Sequence, residues 1–120
     1  MVGGHLNDLV VDAAGGAYVS SFGFDLFSGA APESTVLVRV EPDGTTRVAA
    51  DDVHFPNGMV LSDDGRTLIV AETYAARLTA FDVDGDGSLS GRRVFAELPG
   101  IAPDGICLDA EGQVWAATAR

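Results

Sequence analysis

The sequence predicts an all-β fold of the β-propeller type, and three observations carry that expectation. Short apolar runs alternate with Gly-, Asp- and Pro-rich turns along all 120 residues, and helix signals are nearly absent. Three segments share one pattern: Asn7-Asp8-Leu-Val-Val-Asp12, Asn57-Gly58-Met-Val-Leu-Ser62 and Asp104-Gly105-Ile-Cys-Leu-Asp109, with starts 50 and then 47 residues apart. Each copy also keeps its landmarks. The fifth residue on is Asp12, Ser62 or Asp109, the eighth is Gly15, Gly65 or Gly112, and the eleventh is Tyr18, Leu68 or Trp115. A repeat of this length built from short strands is the mark of a propeller blade.

The strands follow in order. Asp8–Asp12 and Ala17–Ser21 are short apolar runs joined by Ala14-Gly15-Gly16. Thr35–Val40 alternates, with Val36, Val38 and Val40 on one face, as a half-buried strand should. Pro42-Asp43-Gly44 is a hairpin turn, because Pro presets one dihedral and Gly accepts positive φ, and Thr45–Ala50 returns. The second unit repeats the plan with Gly58–Ser62, Thr67–Glu72, Arg77–Val83 and Arg92–Glu97. The third gives Gly105–Asp109 and Gln113–Thr118. The expected blades are therefore 7–50 and 57–97, with a half blade at 104–118, all part of one propeller domain. Two and a half blades leave unpaired edges that a closed ring would remove. The stop at Arg120, just after a strand, adds the expectation of a segment of a larger propeller, poorly stable alone.

One connection is long for a hairpin. Phe22 to Glu33 carries Phe22, Phe24 and Phe27, and is expected either to fold its aromatics over the blade or to wall the channel mouth.

Composition narrows the function. At 47% hydrophobic and 21% charged the chain is globular. A net charge of −11 argues against nucleic acid and anionic membrane as partners, since both need a basic surface. The single Cys107 excludes an internal disulfide and a multi-Cys metal site, and its apolar strand suggests a buried, inert thiol. No apolar run is long enough to span a membrane as a helix. Met1-Val-Gly-Gly-His5 lacks the basic and apolar regions of a signal peptide, so a cytoplasmic location is expected.

Equivalent positions of successive blades face one axis, so the repeat would set Asn7, Asn57 and Asp104 at one depth around it. Pro56-Asn57-Gly58 and Pro103-Asp104-Gly105 are turn formers by composition. Each nevertheless precedes a strand apolar at consecutive positions, as expected of an inner strand buried on both faces. Asn57 and Asp104 would then point into the channel. Their oxygens are hard ligands suited to Ca²⁺, Mg²⁺, Mn²⁺ or, less typically, Zn²⁺. Two ligands are too few for a tight site, and a further carboxylate is expected from another blade. His5, two residues before Asn7, has a place at the channel rim, while His54 reads as a surface residue. Asp82-Val-Asp84-Gly-Asp86-Gly87 resembles the opening of an EF-hand loop, but the twelfth position is Arg93 where Glu is required, so a solvated hairpin turn is expected. No nucleophile elbow or phosphate-binding glycine loop is present.

These stretches, with Ala71-Glu72-Thr73 and Gly112-Gln-Val-Trp115, resemble the senescence marker protein / gluconolactonase / luciferin-regenerating-enzyme-like family over nearly the whole chain. The resemblance implies a six-bladed propeller and one divalent ion at the channel centre, calcium first, with zinc, magnesium or manganese as alternatives. It implies hydrolysis of sugar lactones or related esters, with a small lactone as the partner. On it, Asn57 and Asp104 are metal ligands, Asp104 is also the general base, and Asn7 contacts substrate or metal-bound water. His5 stands where the family's Arg-x-Asn-Asp motif has a substrate-binding Arg. The family's further ligand, a Glu of the first blade, has no counterpart in this chain, so the isolated segment is expected to be inactive. Two other readings stay open: a non-catalytic propeller that serves as a binding module, and a strictosidine-synthase-like propeller enzyme.

Overall fold

Alternating apolar positions and tight turns produce three antiparallel sheets. The structure, a computed structural model, describes residues 6–22, 29, 31 and 33–118. The first sheet contains β1 (Leu6–Val11), β2 (Ala17–Ser21), β3 (Thr35–Val40) and β4 (Thr46–Val53), hydrogen-bonded in that order. The second contains β5 (Pro56–Leu61), β6 (Thr67–Glu72), β7 (Arg77–Val83) and β8 (Leu89–Glu97), with a single 3₁₀ turn, Thr73–Ala75, between β6 and β7. The third pairs β9 (Pro103–Leu108) with β10 (Val114–Thr118). Sequential up-and-down four-stranded sheets packed face to face are propeller blades, so the fold class is the one expected. Among the described residues no helix is long and apolar enough to cross a membrane.

The apolar run of β6 shows why the sheets stack. Side chains alternate between the two faces of a strand. Leu68 and Val70 join a core with Tyr18, Leu37, Val53, Met59 and Phe81, which fills the space between the first and second sheets. Ile69 and Ala71 point the other way, into a core with Leu78 and Ala80 that Ile106 and Val114 of the third sheet cover. β6 is thus buried on both faces, and its sequence reads as continuous apolar rather than alternating.

The first two sheets are also joined by polar contacts to the β7–β8 hairpin. That hairpin is the EF-hand-like segment, and it is a turn, with Gly87 N–H donating to Asp84 O at 2.9 Å. It is not simply solvated. Gly87 O accepts the Tyr18 hydroxyl at 2.6 Å, and Asp86 O accepts Arg47 Nη2. The buried Arg39 guanidinium lies against Gly87 and Gly16, where any Cβ would collide with it. Its Nη1 is 2.8 Å from Asp12 Oδ2, and its Cζ is 4.8 Å above the Tyr18 ring. Glycine at 87 is therefore fixed by packing as well as by its φ of 84°.

The repeat landmarks hold with one correction. Gly15, Gly65 and Gly112 each donate their N–H back to the fifth-position residue, Asp12, Ser62 or Asp109. The eleventh position does not superpose. Asp12 and Asp109 close their turns on the carbonyls of Gly16 and Gln113, four residues on, but Ser62 closes on Thr67, five residues on. A carboxylate at the turn's first residue accepts two backbone N–H groups, as Asp12 Oδ1 does from Ala14 and Gly16, and fixes the short loop. Ser62 is too short to do this and shares the task with Asp64, to which its hydroxyl donates at 2.6 Å. Tyr18 and Trp115 therefore correspond to Ile69, not Leu68.

Candidate functional site

The three repeat starts are strand residues, not turns. β5 and β9 begin at Pro56 and Pro103, so Asn57 and Asp104 lie inside the inner strands. Gly58 and Gly105 do not have positive φ, unlike the turn glycine Gly44.

Each inner strand instead carries a bulge at the same place. Leu6 pairs with Ser21 and Leu9 with Val19, so three steps on β1 oppose two on β2. Pro56 pairs with Glu72 and Met59 with Val70. Pro103 pairs with Thr118 and Ile106 with Ala116. The bulges thus fall at Asn7-Asp8, Asn57-Gly58 and Asp104-Gly105. A bulge inserts one unpaired residue and re-aims its side chain. Three bulges in register explain how three polar residues can begin otherwise apolar strands.

The bulges lie side by side. Asn7 Nδ2 donates to Pro56 O at 3.1 Å, tying the β1 bulge to the start of β5. The buried Ser20 hydroxyl donates to Asp8 O at 3.2 Å and lies 3.3 Å from Asn57 O. On the other side, a Cβ at Gly58 would stand 2.6 Å from Asp104 O and 2.7 Å from Ile106 N. Glycine at 58 is required because two backbones meet there. Further along the strands, Val11, Met59, Leu61 and Cys107 line one groove of about 290 Å³, so the three inner strands share a common open side.

Burial differs along this row. Asn57 is buried at 9% exposure, Asn7 is half-buried and Asp104 is exposed. The expectation that every inner strand is buried on both faces holds only for β5, which β1 and β9 flank. On β9 Cys107 is exposed, which corrects the reading of a buried thiol, because that face opens on the groove.

Sequence reasoning missed the residue that links the two candidate ligands. Thr73, at 8% exposure, donates its hydroxyl to Pro103 O at 2.6 Å. Asn57 Nδ2 lies 3.5 Å from Thr73 Oγ1. A carbonyl only accepts, so the Thr73 proton is committed to Pro103, and Thr73 Oγ1 must accept from its other neighbour. That orients the Asn57 amide with nitrogen towards Thr73 and leaves Oδ1 for another partner.

The preceding residue secures this arrangement. Glu72 is fully buried and accepts from His54 N–H at 2.9 Å, Arg77 Nε at 3.0 Å and the Thr79 hydroxyl. Burial opposes its ionisation, but the hydrogen bonds from Arg77, Thr79 and His54 outweigh burial and hold the carboxyl below its ordinary value. Thr73 N–H then donates to Phe55 O at 3.1 Å. The signal for Glu72 was available in sequence: a Glu ends an apolar run, and a charge there needs built partners.

His54, Phe55 and Tyr74 with Glu33 and Ser34 line a cleft of about 150 Å³ at the same end of the sheets as Asn57. Phe55 stacks on Phe22 and Tyr74, with ring centroids 5.0 and 4.7 Å apart. Phe55 has φ of 51°, an unusual backbone conformation for a bulky residue, just before the candidate ligand. His54 is half-buried, with Nε2 3.3 Å from Asp52 Oδ1. His5, Phe24 and Phe27 lie outside the described residues.

Asn57 Oδ1 and the Asp104 carboxylate are the hard oxygen donors of the row. Among the described residues no three His, Cys, Asp or Glu side chains group to hold a metal. Amide and carboxylate oxygens of this kind are the donors that hard divalent ions take.

Comparison with known proteins agrees with this architecture. The sequence profile described as the SMP-30/Gluconolactonase/LRE-like region matches residues 3–120. Regucalcin of Danio rerio is 34% identical over 115 residues, which cover 92% of this chain and 38% of that protein. Pentonolactonase XacC of Haloferax volcanii is 31% identical over 115 residues, covering 92% of this chain and 37% of that protein. A solved gluconolactonase from Xanthomonas campestris superposes with a TM-score of 0.76 at 32% identity, over 98% of this chain and 43% of that one. The chain thus spans less than half the length of these relatives.

Proposed function

The chain belongs to the SMP-30/gluconolactonase/LRE-like family, a family with lactone hydrolases among its members, and from that premise we propose that it carries the central part of a metal-dependent hydrolase of sugar lactones or related esters. The observation that carries this reading is the row of three bulges. A propeller used only as an interaction surface has no need to break its inner strands at the same residue three times, each time at an amide or a carboxylate.

Asn57 and Asp104 would hold the ion through their oxygens, calcium first because a related regucalcin is a calcium-binding protein, with a further carboxylate from residues outside this chain. When bound, a divalent ion supplies Lewis-acid polarisation of the lactone carbonyl and acidifies bound water. The side chains here divide the remaining work. Asp104, exposed at the open end of β9, accepts the proton of the attacking water. That proton passes to the ring oxygen as the acyl C–O bond breaks, and the product is the open hydroxy acid. No nucleophile on the chain is needed. Asn7 has its Nδ2 committed to Pro56 O, which leaves Oδ1 to accept from a substrate hydroxyl. His5, in place of the family's Arg, would take the rim position and change which lactone is preferred.

The test is lactone hydrolysis by the whole protein, followed by acid release. After chelation, Ca²⁺, Zn²⁺, Mg²⁺ and Mn²⁺ are added singly. Turnover restored by a metal is the expected result. A folded protein inactive with every metal would remove this reading in favour of a binding propeller.

A further inference from the structure

We propose that Thr73 is a positioning residue that sets both candidate metal ligands through one hydroxyl, an inference that rests on the metal-site reading above. Asn57 and Asp104 lie on different sheets, so some group must fix their relation. Thr73 Oγ1 touches both sides. It donates to Pro103 O at 2.6 Å, one residue before Asp104, and Asn57 Nδ2 reaches it at 3.5 Å. Because its proton is committed to the carbonyl, it selects the amide orientation of Asn57 and leaves Oδ1 facing away from Thr73.

Thr73 is itself held rigidly. Its N–H is bonded to Phe55 O, and its carbonyl accepts Ala76 N–H at 3.4 Å, closing the 3₁₀ turn. Ala76 takes a left-handed φ of 51° to make that closure. Glu72 anchors the turn from behind, through His54 N–H on one side and Arg77 and Thr79 on the other. The hydroxyl is thus placed by the scaffold, not by the ligands it orients. Residues of this kind set ligand geometry, and their loss typically weakens metal binding roughly 10–100-fold.

The test replaces Thr73 in the whole protein by Val, Ala and Ser, with Asn57→Ala alongside. Ca²⁺ and Mn²⁺ are titrated singly by calorimetry after chelation, and metal-free melting temperature and lactone turnover are recorded. Thr73→Val and Thr73→Ala should each weaken metal binding about tenfold or more. Thr73→Ser should return binding to near the native level, since it restores the oxygen. A role confined to packing would lower the melting temperature of Val and Ala while leaving metal affinity unchanged, and that result overturns the inference. Thr73→Ala leaves space in place of the methyl groups, so it guards against a Val variant that does not fold. If Asn57→Ala loses metal but neither hydroxyl-free variant does, the positioning role alone is wrong. If Asn57→Ala binds metal normally, the metal site itself is wrong and this inference falls with it.

Discussion

The chain uses the tripeptide Pro-Asx-Gly three times and folds it in two ways. At Pro42-Asp43-Gly44 it is a hairpin turn between β3 and β4. Gly44 has φ of 91° and donates its N–H to Glu41 O at 2.8 Å, while Asp43 Oδ1 caps Thr45 N–H at 3.0 Å. At Pro56-Asn57-Gly58 and Pro103-Asp104-Gly105 the same residue types are strand, bulged by one residue, with neither glycine at positive φ. Local composition is therefore not what decides. The first copy is exposed and joins two paired strands of one sheet, so it closes on itself. The other two lead into strands that pack beside another inner strand, and tertiary contact holds them open. In the turn the Asx side chain is consumed by its own backbone. In the bulge Asn57 and Asp104 are left with oxygens to offer.

Substitutions can break that contrast, and the largest stability effect is expected at Gly58. A Cβ there would meet backbone of β9 at 2.6–2.8 Å, and neither strand can yield cheaply. Gly58→Ala should destabilise by about 3 kcal/mol, read as a shift in denaturant midpoint. A variant as stable as the native protein would mean that β5 and β9 are not in this contact.

A smaller loss, about 2 kcal/mol, is expected for Glu72→Gln, which removes charge-assisted hydrogen bonds from a buried group. The effect has a defined pH window. Glu72 has its folded pKa below the ordinary 4.5, so its stabilisation is complete above that value and is lost as pH falls through the folded pKa. Native melting temperature should therefore fall on acidification from about pH 4.5 more steeply than that of Glu72→Gln, by the linkage of protonation to folding. Parallel profiles for the two proteins would contradict the hydrogen-bonding assignment.

The smallest expected effect is at the hairpin. Nothing would touch a Cβ at Gly44, so Gly44→Ala meets only backbone strain, about 1–2 kcal/mol. A loss at Gly44 as large as that at Gly58 would erase the distinction between turn and bulge.

Much of this architecture was legible in the sequence, because period-2 alternation and Gly-centred turns are local signals. Spacing also picked out Asn7, Asn57 and Asp104. Their conformation was not legible, since a bulge and a turn share residue types and only the neighbouring strand separates them. The shift of Ile69 into the place expected for Leu68 depended on one extra turn residue, which comes from Ser62 lacking a carboxylate. Thr73 was hidden for a related reason. A threonine ending a strand is ordinary until its hydroxyl is seen between two other strands. Cys107 was misread because burial of β9 depends on what packs against it, and periodicity does not report that.

The central claim is that Asp104 works because a bulge frees it, whereas Asp43, in the same tripeptide, does not. The direct measurement is metal-supplemented lactone hydrolysis by the whole protein carrying Asp43→Asn or Asp104→Asn, each checked for native melting. The account predicts near-native turnover for the first and loss of turnover in a folded protein for the second. Full activity in folded Asp104→Asn would contradict it.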